Sequence, residues 1–238
     1  NKVNRISIGI QTFNDKFSKV LNRDINKKEM IEKINLTKKY FSNINIDLMY
    51  ALPGESINDL KMDLEIIKKL DVTHISTYAL IIEDHTNLKL QNIKETEDDI
   101  QNKMYYLIVD YLKNNGYNHY ELSNFAKENY ESRHNLTYWN NDNYYGFGAG
   151  ASGFIDNIRY DNTKSVFKYN YGKTGVYEEK LSLNELMKDE VMLSLRKING
   201  INKNAFFKKY NVLLEDAFDY KKLIRNNFLT ETSKNVYI

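Results

Sequence analysis

The chain has 238 residues, of which 42% are hydrophobic and 28% are charged, and its formal net charge at pH 7 is +2. This composition is typical of a folded globular protein, and the small net charge argues against nucleic acid as a partner. No apolar run approaches the ~20 residues that a membrane span requires. We therefore expect a cytoplasmic protein that contacts a membrane only at its surface, if at all.

Strand and helix patterns alternate along the first half of the chain. Strand-like segments occupy residues 5–11, 44–50 and 74–80, and a fourth begins at Tyr117. Amphipathic helical stripes follow the first three, and capping boxes open two of those helices, at Ser56 with Asp59 and at Thr96 with Asp99. This alternation predicts an α/β fold with a parallel sheet and helical crossovers.

The first two strands each have one apolar and one polar face. An open sheet covered by helices on both sides has strands that are apolar on both faces. The pattern here therefore predicts a barrel that is sheathed in helices and has a partly polar interior. Four strands cannot close such a barrel, and the sequence opens at Asn1 almost directly into a strand. We therefore expect an open, partial, TIM-like (β/α) barrel whose upstream strands precede this sequence.

The second half of the chain is richer in helical patterns. A capping box at Ser182 with Glu185 opens a helix that ends before Gly200, and shorter helical patterns follow at 202–209 and 215–226. The last residues look like the start of a β-hairpin. We predict two domains: a partial barrel over 1–160, which includes a loop with the sequence SRHNLTYW, and a small, mainly helical, winged-helix-like domain over 161–238.

Three polar residues of the predicted barrel are candidates for ligand binding. Asp47 lies mid-strand on the polar face, where an unpaired carboxylate is costly to bury, so it meets either a structural hydrogen-bond donor or a ligand. Gln11 ends the first strand on the same face, and barrel ligands bind at the carboxyl ends of strands. Arg23 is either an ordinary surface arginine or a cation for an acidic ligand.

A glycine-rich segment near the middle of the chain does not fit a dinucleotide motif. Gly146, Gly148 and Gly150 lack the strand before and the helix after them that such a motif requires. We interpret them as a tight turn that lets the backbone approach a ligand or a neighbouring strand.

Seven segments together resemble a known family. In chain order they are RISIGIQTFND, VLNRD, NIDLMYALPGES, HISTYALIIEDHT, GYNHYELSNFAK, SRHNLTYW and YYGFGAGA. The chain resembles the radical-SAM family of oxygen-independent coproporphyrinogen III oxidases and, more closely, the haem-chaperone branch of that family, HemW. The resemblance implies an incomplete (β/α) barrel followed by a helical C-terminal domain.

The resemblance also implies a cofactor site. The S-adenosylmethionine contacts of the family fall on Gln11, Arg23, Asp47 and Ala79, with Met49 beside the adenine. The family holds a [4Fe–4S] cluster through a CxxxCxxC motif, whereas this chain has no cysteine and so no thiolate ligand for a cluster or a disulfide. We expect the cluster ligands upstream of Asn1.

The segment SRHNLTYW contains the HNxxYW motif that marks the haem-chaperone branch. The motif residues are His134, Asn135, Tyr138 and Trp139, and the implied role is haem binding, with His134 as axial ligand of the haem iron. Imidazole binds haem iron well, aromatic rings stack on a porphyrin, and Arg133 can pair with a propionate. The alternative is a loop histidine that is bonded to the backbone.

These features predict a haem chaperone that binds haem and delivers it to an acceptor protein. One alternative is an oxygen-independent coproporphyrinogen III oxidase, which decarboxylates coproporphyrinogen III to protoporphyrinogen IX. A second alternative is a cluster-free relative that serves as a binding module.

Overall fold

The structure is a computed structural model that describes residues 3–23, 26–84 and 86–238. The chain divides into two compact units, of which the first runs to Glu131 and the second from Ser132 to Ile238. The sequence predicted this boundary at residue 160. The difference arises because a strand before residue 160, Ser152–Ile155, pairs with later strands and so belongs with the second unit.

The first unit contains five strands and five helices within the described residues. The strands are β1 (Arg5–Gln11), β2 (Asn43–Tyr50), β3 (His74–Ala79), β4 (Asn118–Glu121) and β5 (Asn124–Ala126). The helices are α1 (Asp15–Val20), α2 (Lys27–Lys38), α3 (Ile57–Leu70), α4 (Asn87–Leu90) and α5 (Asp98–Asn114).

One mixed sheet with the order β1-β2-β3-β5-β4 organises this unit. The pairs β1–β2 and β2–β3 are parallel, as the sequence predicted, whereas β5 pairs antiparallel with both β3 and β4. The prediction of one continuous fourth strand from Tyr117 onwards is wrong. The chain instead reverses at Leu122 and Ser123, so that β4 and β5 form a tight hairpin.

The two faces of the sheet differ as the alternation of β1 and β2 predicts. Ile44, Ile46 and Leu48 of β2 are buried in a core that includes residues of α2, α3 and α5. The opposite face carries polar residues in matched rows, because parallel neighbours in register point their side chains the same way. Two of these rows pair Asn45 with His74 and Asp47 with Ser76.

Two of the three predicted capping boxes are confirmed. In both, the serine side chain accepts from the N3 backbone N–H and the N3 carboxylate accepts from the serine backbone N–H, at Ser56 with Asp59 and at Ser182 with Glu185. The third is wrong: α5 begins at Asp98 without a side-chain cap, and Thr96 Oγ1 instead donates to the Ala51 carbonyl at 2.9 Å. A tertiary hydrogen bond has replaced the local one.

The second unit is mixed rather than mainly helical. Its strands are β6 (Ser152–Ile155), β7 (Ile158–Asn162), β8 (Gly175–Lys180), β9 (Ile201–Asn202), β10 (Thr230–Glu231) and β11 (Asn235–Tyr237). Its helices are α6 (Arg133–Trp139), α7 (Val166–Asn170), α8 (Leu183–Ser194), α9 (Lys203–Tyr210), α10 (Leu214–Ala217) and α11 (Lys221–Arg225).

Two three-stranded antiparallel sheets, β6-β7-β8 and β10-β11-β9, belong to this unit. The terminal hairpin is confirmed as β10–β11, and the helical pattern expected over 215–226 is divided between α10 and α11. The second unit has its own hydrophobic core, built around Phe154, Phe206 and Val236. Within the described residues no helix is both long and apolar enough to cross a bilayer.

Candidate functional site

The polar ends of three predicted site residues meet around Gly9 of β1. A Cβ placed on Gly9 would lie 3.1 Å from Gln11 Nε2, 3.9 Å from Arg23 Nη2 and 3.9 Å from Asp47 Oδ2. Gly9 is opposite Asp47 in the β1–β2 register and is exposed. An amide, a guanidinium and a carboxylate therefore surround a small open space at this glycine.

Gln11 owes its position to an irregularity at the end of β1. The register of β1 and β2 shifts between Gly9 and Gln11, and Gln11 has a left-handed backbone with φ of 72°. A non-glycine residue in this region is uncommon and costs about 1–3 kcal/mol unless its surroundings impose it. The shift and the backbone conformation place the Gln11 amide beside Gly9.

Arg23 reaches the same place from the connection after α1. Its Nη1 donates to the Gly9 carbonyl at 3.0 Å, and its backbone N–H donates to the Ser18 carbonyl at 2.9 Å. These two bonds hold a largely exposed arginine against β1. The guanidinium gives the arrangement around Gly9 a fixed positive charge.

Met49 and Ala79 occupy different surroundings from these three residues. Met49 is partly buried and packs against an apolar cluster formed by Phe17, Leu52, Leu80 and Ile82. Ala79 ends β3 opposite Tyr50 and packs against the helix-covered core. The structure thus brings Gln11, Arg23 and Asp47 together, gives Met49 an apolar setting near the strand ends, and turns the Ala79 side chain to the other face.

A buried polar network lies behind Asp47 on the same face of the sheet. Asn45 Nδ2 donates to Asp47 Oδ1 at 2.8 Å, and Asn45 Oδ1 lies 2.6 Å from His74 Nδ1. Asn45 is 3% exposed and His74 is fully buried. Neither residue was predicted from the sequence to have a role. Asn45 nevertheless lies two positions before Asp47, and this spacing in a strand puts both side chains on one face.

Two buried carboxyl groups lie just beyond the strand ends. Asp63 accepts from Thr12 Oγ1 at 2.7 Å and from the Phe13 backbone N–H, and burial raises its pKa to about 6. Glu55 accepts from the Leu52 backbone N–H at 3.0 Å, and burial raises its pKa to about 8. Asp63 ties the segment after β1 to α3, whereas Glu55 closes a turn within the connection between β2 and α3. Neither group was predicted from the sequence.

The segment SRHNLTYW forms a short helix, α6, and not the expected loop. Ser132 caps it, because its side chain accepts from the Asn135 backbone N–H. The helix sorts the motif into two pairs spaced by four residues, His134 with Tyr138 and Asn135 with Trp139. The Tyr138 hydroxyl lies 3.0 Å from His134 Nε2, and both residues of that pair reach solvent to some degree.

Two residues from the segment after α8 hold α6. The Arg196 guanidinium stacks over the Trp139 ring at 4.5 Å from the ring centre, and Lys197 Nζ donates to Asn140 Oδ1 at 2.7 Å. Trp139 Nε1 and Arg196 Nε are both buried, and neither meets an acceptor among the residues that the structure describes. Arg196 was not identified from the sequence, because it lies far along the chain from Trp139.

The glycine-rich segment forms a turn next to this helix, as the sequence analysis predicted. Gly148 and Gly150 have positive φ, and a Cβ on Gly146 would collide with the Ser152 carbonyl. The strand β6 follows the turn, where a dinucleotide motif requires a helix. Tyr145 and Phe147 project from the turn into solvent.

Comparisons with known proteins agree with this architecture. Residues 1–67 match the profile of the Radical SAM superfamily. The chain is 38% identical over 246 residues to the heme chaperone HemW of Lactococcus lactis and 33% identical over 248 residues to that of Bacillus subtilis. Each alignment covers 99% of this chain and 65% of the relative.

A solved structure shares the fold. The structure described as "Coproporphyrinogen III oxidase (HemN) from Escherichia coli is a Radical SAM enzyme" matches with a TM-score of 0.82 at 17% identity, over 99% of this chain and 60% of the matched chain. This likeness shows the fold, and the match over residues 1–67 relates the start of the chain to the Radical SAM superfamily.

Within that superfamily, the chain is similar along 99% of its length to the HemW haem chaperones of Lactococcus lactis and Bacillus subtilis, as the sequence resemblance indicated. The chain spans 65% of the length of the Lactococcus and Bacillus relatives.

Proposed function

We propose that the first unit binds S-adenosylmethionine around Gly9. The observation that carries this proposal is the convergence of Gln11, Arg23 and Asp47 on one open glycine. Arg23 pairs with the methionyl carboxylate, and Gln11 and Asp47 bond the polar groups of the ligand. Met49 and its apolar neighbours contact the adenine, and the backbone of Ala79 contributes a contact at the end of β3.

The side chains around Gly9 fit S-adenosylmethionine, but this chain has no thiolate for the [4Fe–4S] cluster beside which the family binds it. S-adenosylmethionine presents a carboxylate, an amine, ribose hydroxyls and an apolar adenine face, and the residues above offer a match for each. Bound beside a reduced [4Fe–4S] cluster, it is a source of a 5′-deoxyadenosyl radical. The chain has no cysteine, and its described residues contain no His, Asp and Glu group arranged to hold a metal. We place the cluster ligands outside this sequence.

The adenosylmethionine site is tested by two substitutions in the full 238-residue chain. Arg23→Ala and Asp47→Ala are each expected to weaken S-adenosylmethionine binding by at least about tenfold, the effect of losing one charge-assisted hydrogen bond. Ser7→Ala, on the same face of β1 but away from Gly9, is the matched control. Unchanged affinity in both site variants, measured by isothermal titration calorimetry, removes the assignment.

We further propose that α6 binds haem and that the protein serves as a haem chaperone. His134 is the axial ligand of the haem iron, Tyr138 and Trp139 contact the porphyrin, Arg133 pairs with a propionate, and Asn135 supports Trp139 from the preceding turn. The two relatives at 38% and 33% identity, both named heme chaperones, support this function.

The haem proposal is tested by titration of the chain with haem. We expect a shift of the Soret band that weakens in His134→Ala, because the variant lacks the imidazole that binds iron. Thr137→Ala, in the same helix, is the matched control. Delivery is then measured as transfer of the bound haem to an apo-globin. Equal haem affinity in His134→Ala and the control contradicts the role of His134.

The second candidate function is oxidation of coproporphyrinogen III, which the structural match to HemN favours. The two functions differ in what α6 must recognise. A chaperone recognises haem through its iron, whereas an oxidase binds the iron-free tetrapyrrole. Binding of iron-free coproporphyrin III that is as tight as that of haem, and is insensitive to His134→Ala, reverses the order of the two candidates.

We also propose the finer architecture that the resemblance implies. The parallel part of the first sheet is a segment of an open (β/α) barrel with its polar face inward, and the end of the second unit is winged-helix-like. The one-sided helix cover of the first sheet supports the former. The short sheet β10-β11-β9 next to α9 and α11 supports the latter.

A further inference from the structure

A chain of three hydrogen bonds ends on the Asp47 carboxylate. The Tyr120 hydroxyl lies 2.7 Å from His74 Nε2, His74 Nδ1 lies 2.6 Å from Asn45 Oδ1, and Asn45 Nδ2 lies 2.8 Å from Asp47 Oδ1. These residues come from β4, β3 and β2, so the chain runs across the sheet on its polar face. The network is buried in its middle, at Asn45 and His74, whereas its two ends, Asp47 and Tyr120, are partly exposed.

The direction of the donors follows from the chemistry of Asp47. An ionised carboxylate only accepts hydrogen bonds, so the Asn45 amide must present its NH₂ group to Asp47. The Asn45 oxygen then faces His74, and the Ser76 hydroxyl donates to the same oxygen at 3.1 Å. The His74 nitrogen at this oxygen must therefore carry the ring proton, which makes the tautomer Nδ1–H. His74 Nε2 is left to accept from Tyr120.

Burial keeps the His74 ring neutral. Desolvation lowers its pKa to about 3, and the nearby Arg5 guanidinium acts in the same direction. The ring therefore carries one proton at neutral pH, and the Asn45 oxygen holds that proton on Nδ1. The neutral histidine side chain in water favours the Nε2–H tautomer, so the network selects the form that is less populated in the free side chain.

We propose that Asn45 and His74 are positioning residues for the adenosylmethionine site, a step that rests on the function proposed for Gln11, Arg23 and Asp47. Asn45 occupies one oxygen of Asp47, Oδ1, while the other oxygen, Oδ2, faces the open space at Gly9. His74 fixes the Asn45 amide so that its NH₂ group cannot turn away. Asp47 is thereby presented with a single orientation to the ligand.

A pair of substitutions at His74 separates positioning from simple packing. In His74→Asn the amide nitrogen takes the place of Nδ1 and still donates to Asn45, whereas in His74→Gln it takes the place of Nε2 and that donor is lost. Both variants remove the ring. We expect S-adenosylmethionine affinity close to that of the unchanged chain in His74→Asn and about tenfold weaker in His74→Gln and in Asn45→Leu.

Thermal melting of the same variants supplies the control for folding. One outcome is that S-adenosylmethionine affinity falls with melting temperature, regardless of whether the residue at position 74 still donates to the Asn45 oxygen. In that case His74 acts only through packing and the proposal is wrong. If Asp47→Ala weakens binding but His74→Asn, His74→Gln and Asn45→Leu all bind like the unchanged chain, the ligand site stands and the positioning role fails. If the unchanged chain does not bind S-adenosylmethionine, the proposed function and this inference fail together.

A spectroscopic measurement reads the network without any ligand. Long-range ¹H–¹⁵N correlation of the histidine rings at neutral pH is expected to show His74 neutral and protonated on Nδ1, and to show Nε2 as the bare nitrogen. His74→Asn removes these signals and identifies them. A His74 ring that is protonated on Nε2, or on both nitrogens, overturns the proposal regardless of the binding results.

Discussion

At the scale of single residues, Gly9 determines whether the space between Gln11, Arg23 and Asp47 exists. Its backbone is not in the left-handed region, so a larger residue is tolerated by the strand itself. A side chain at this position would fill the volume that the three polar groups surround. The consequence of a substitution here is therefore expected in ligand binding and not in folding.

We predict that Gly9→Val reduces S-adenosylmethionine affinity by at least about tenfold while the melting temperature is unchanged or rises, since a β-branched residue suits a strand. Ser7→Val, two positions earlier on the same face, should leave affinity intact. Calorimetric titration and thermal melting of the two variants check the prediction. Wild-type affinity in Gly9→Val shows that the ligand lies elsewhere.

The buried carboxyl of Glu55 gives a prediction about pH. Its pKa in the folded chain is about 8, above the ordinary value of 4.5. Its contribution to stability is therefore fully present below about pH 4.5 and is lost as pH rises towards 8. The amide that Glu55→Gln introduces cannot ionise. This variant should therefore be more stable than the unchanged chain by about 1–3 kcal/mol at pH 8 and nearly equal to it at about pH 4.5.

Urea unfolding at several pH values checks this prediction, with the exposed Glu128→Gln as control. The control is expected to follow the unchanged chain at every pH. If the free energy of unfolding changes with pH by the same amount in Glu55→Gln and in the unchanged chain, the Glu55 carboxyl is not held protonated at neutral pH and the prediction is wrong.

Some features of the candidate site, but not all, could be predicted from the sequence. The alternation of side chains along β2 predicted Asp47 on the polar face of the sheet, and the position of Gln11 at the end of β1 predicted it at the same end of the sheet. This alternation could not indicate that Gln11 adopts a left-handed backbone after a register shift, because both depend on how β1 meets β2. The pairing of Asn45 with His74 joins residues 29 positions apart, which no local pattern records.

At the scale of elements, local chemistry was decisive only where nothing tertiary competed with it. The serine capping boxes of α3 and α8 formed as the sequence predicted, whereas Thr96 bonds to Ala51 and leaves α5 without a side-chain cap. The seven residues of α6 are too few for a helical stripe to be visible in the sequence. Ser132 as N-cap was the one local signal of that helix.

The stacking of Arg196 on Trp139 ties α6 to the segment after α8 and can be read directly, because Trp139 is the only tryptophan in the chain. We predict that Arg196→Ala shifts the tryptophan emission to longer wavelength as the indole meets water, and lowers stability by about 0.5–2 kcal/mol through loss of the cation–π contact. Arg225→Ala, on α11, should change neither quantity. An unchanged emission maximum in Arg196→Ala contradicts the stacked arrangement.

At the scale of the whole molecule, each compact unit carries its own hydrophobic core and one proposed ligand site. The buried core of the first unit is drawn from residues before 131, and that of the second unit from residues after 151. The sequence identified two domains but placed their boundary too late, because β6 precedes the change in helical character and still pairs with β7. Pairing partners, and not local composition, set the boundary.

This division yields a prediction for the whole chain with two ligands. Asp47 and His134 lie in different compact units, and substitutions at residues that share no partners have additive effects, within about 0.3–0.5 kcal/mol. Asp47→Ala is therefore expected to weaken S-adenosylmethionine binding and leave haem affinity unchanged, and His134→Ala is expected to do the reverse. Titrating each ligand into both single variants and the double variant measures the affinities. A loss of haem affinity in Asp47→Ala greater than this margin would show that the two sites are energetically coupled, and the chain would then have to be treated as one binding unit.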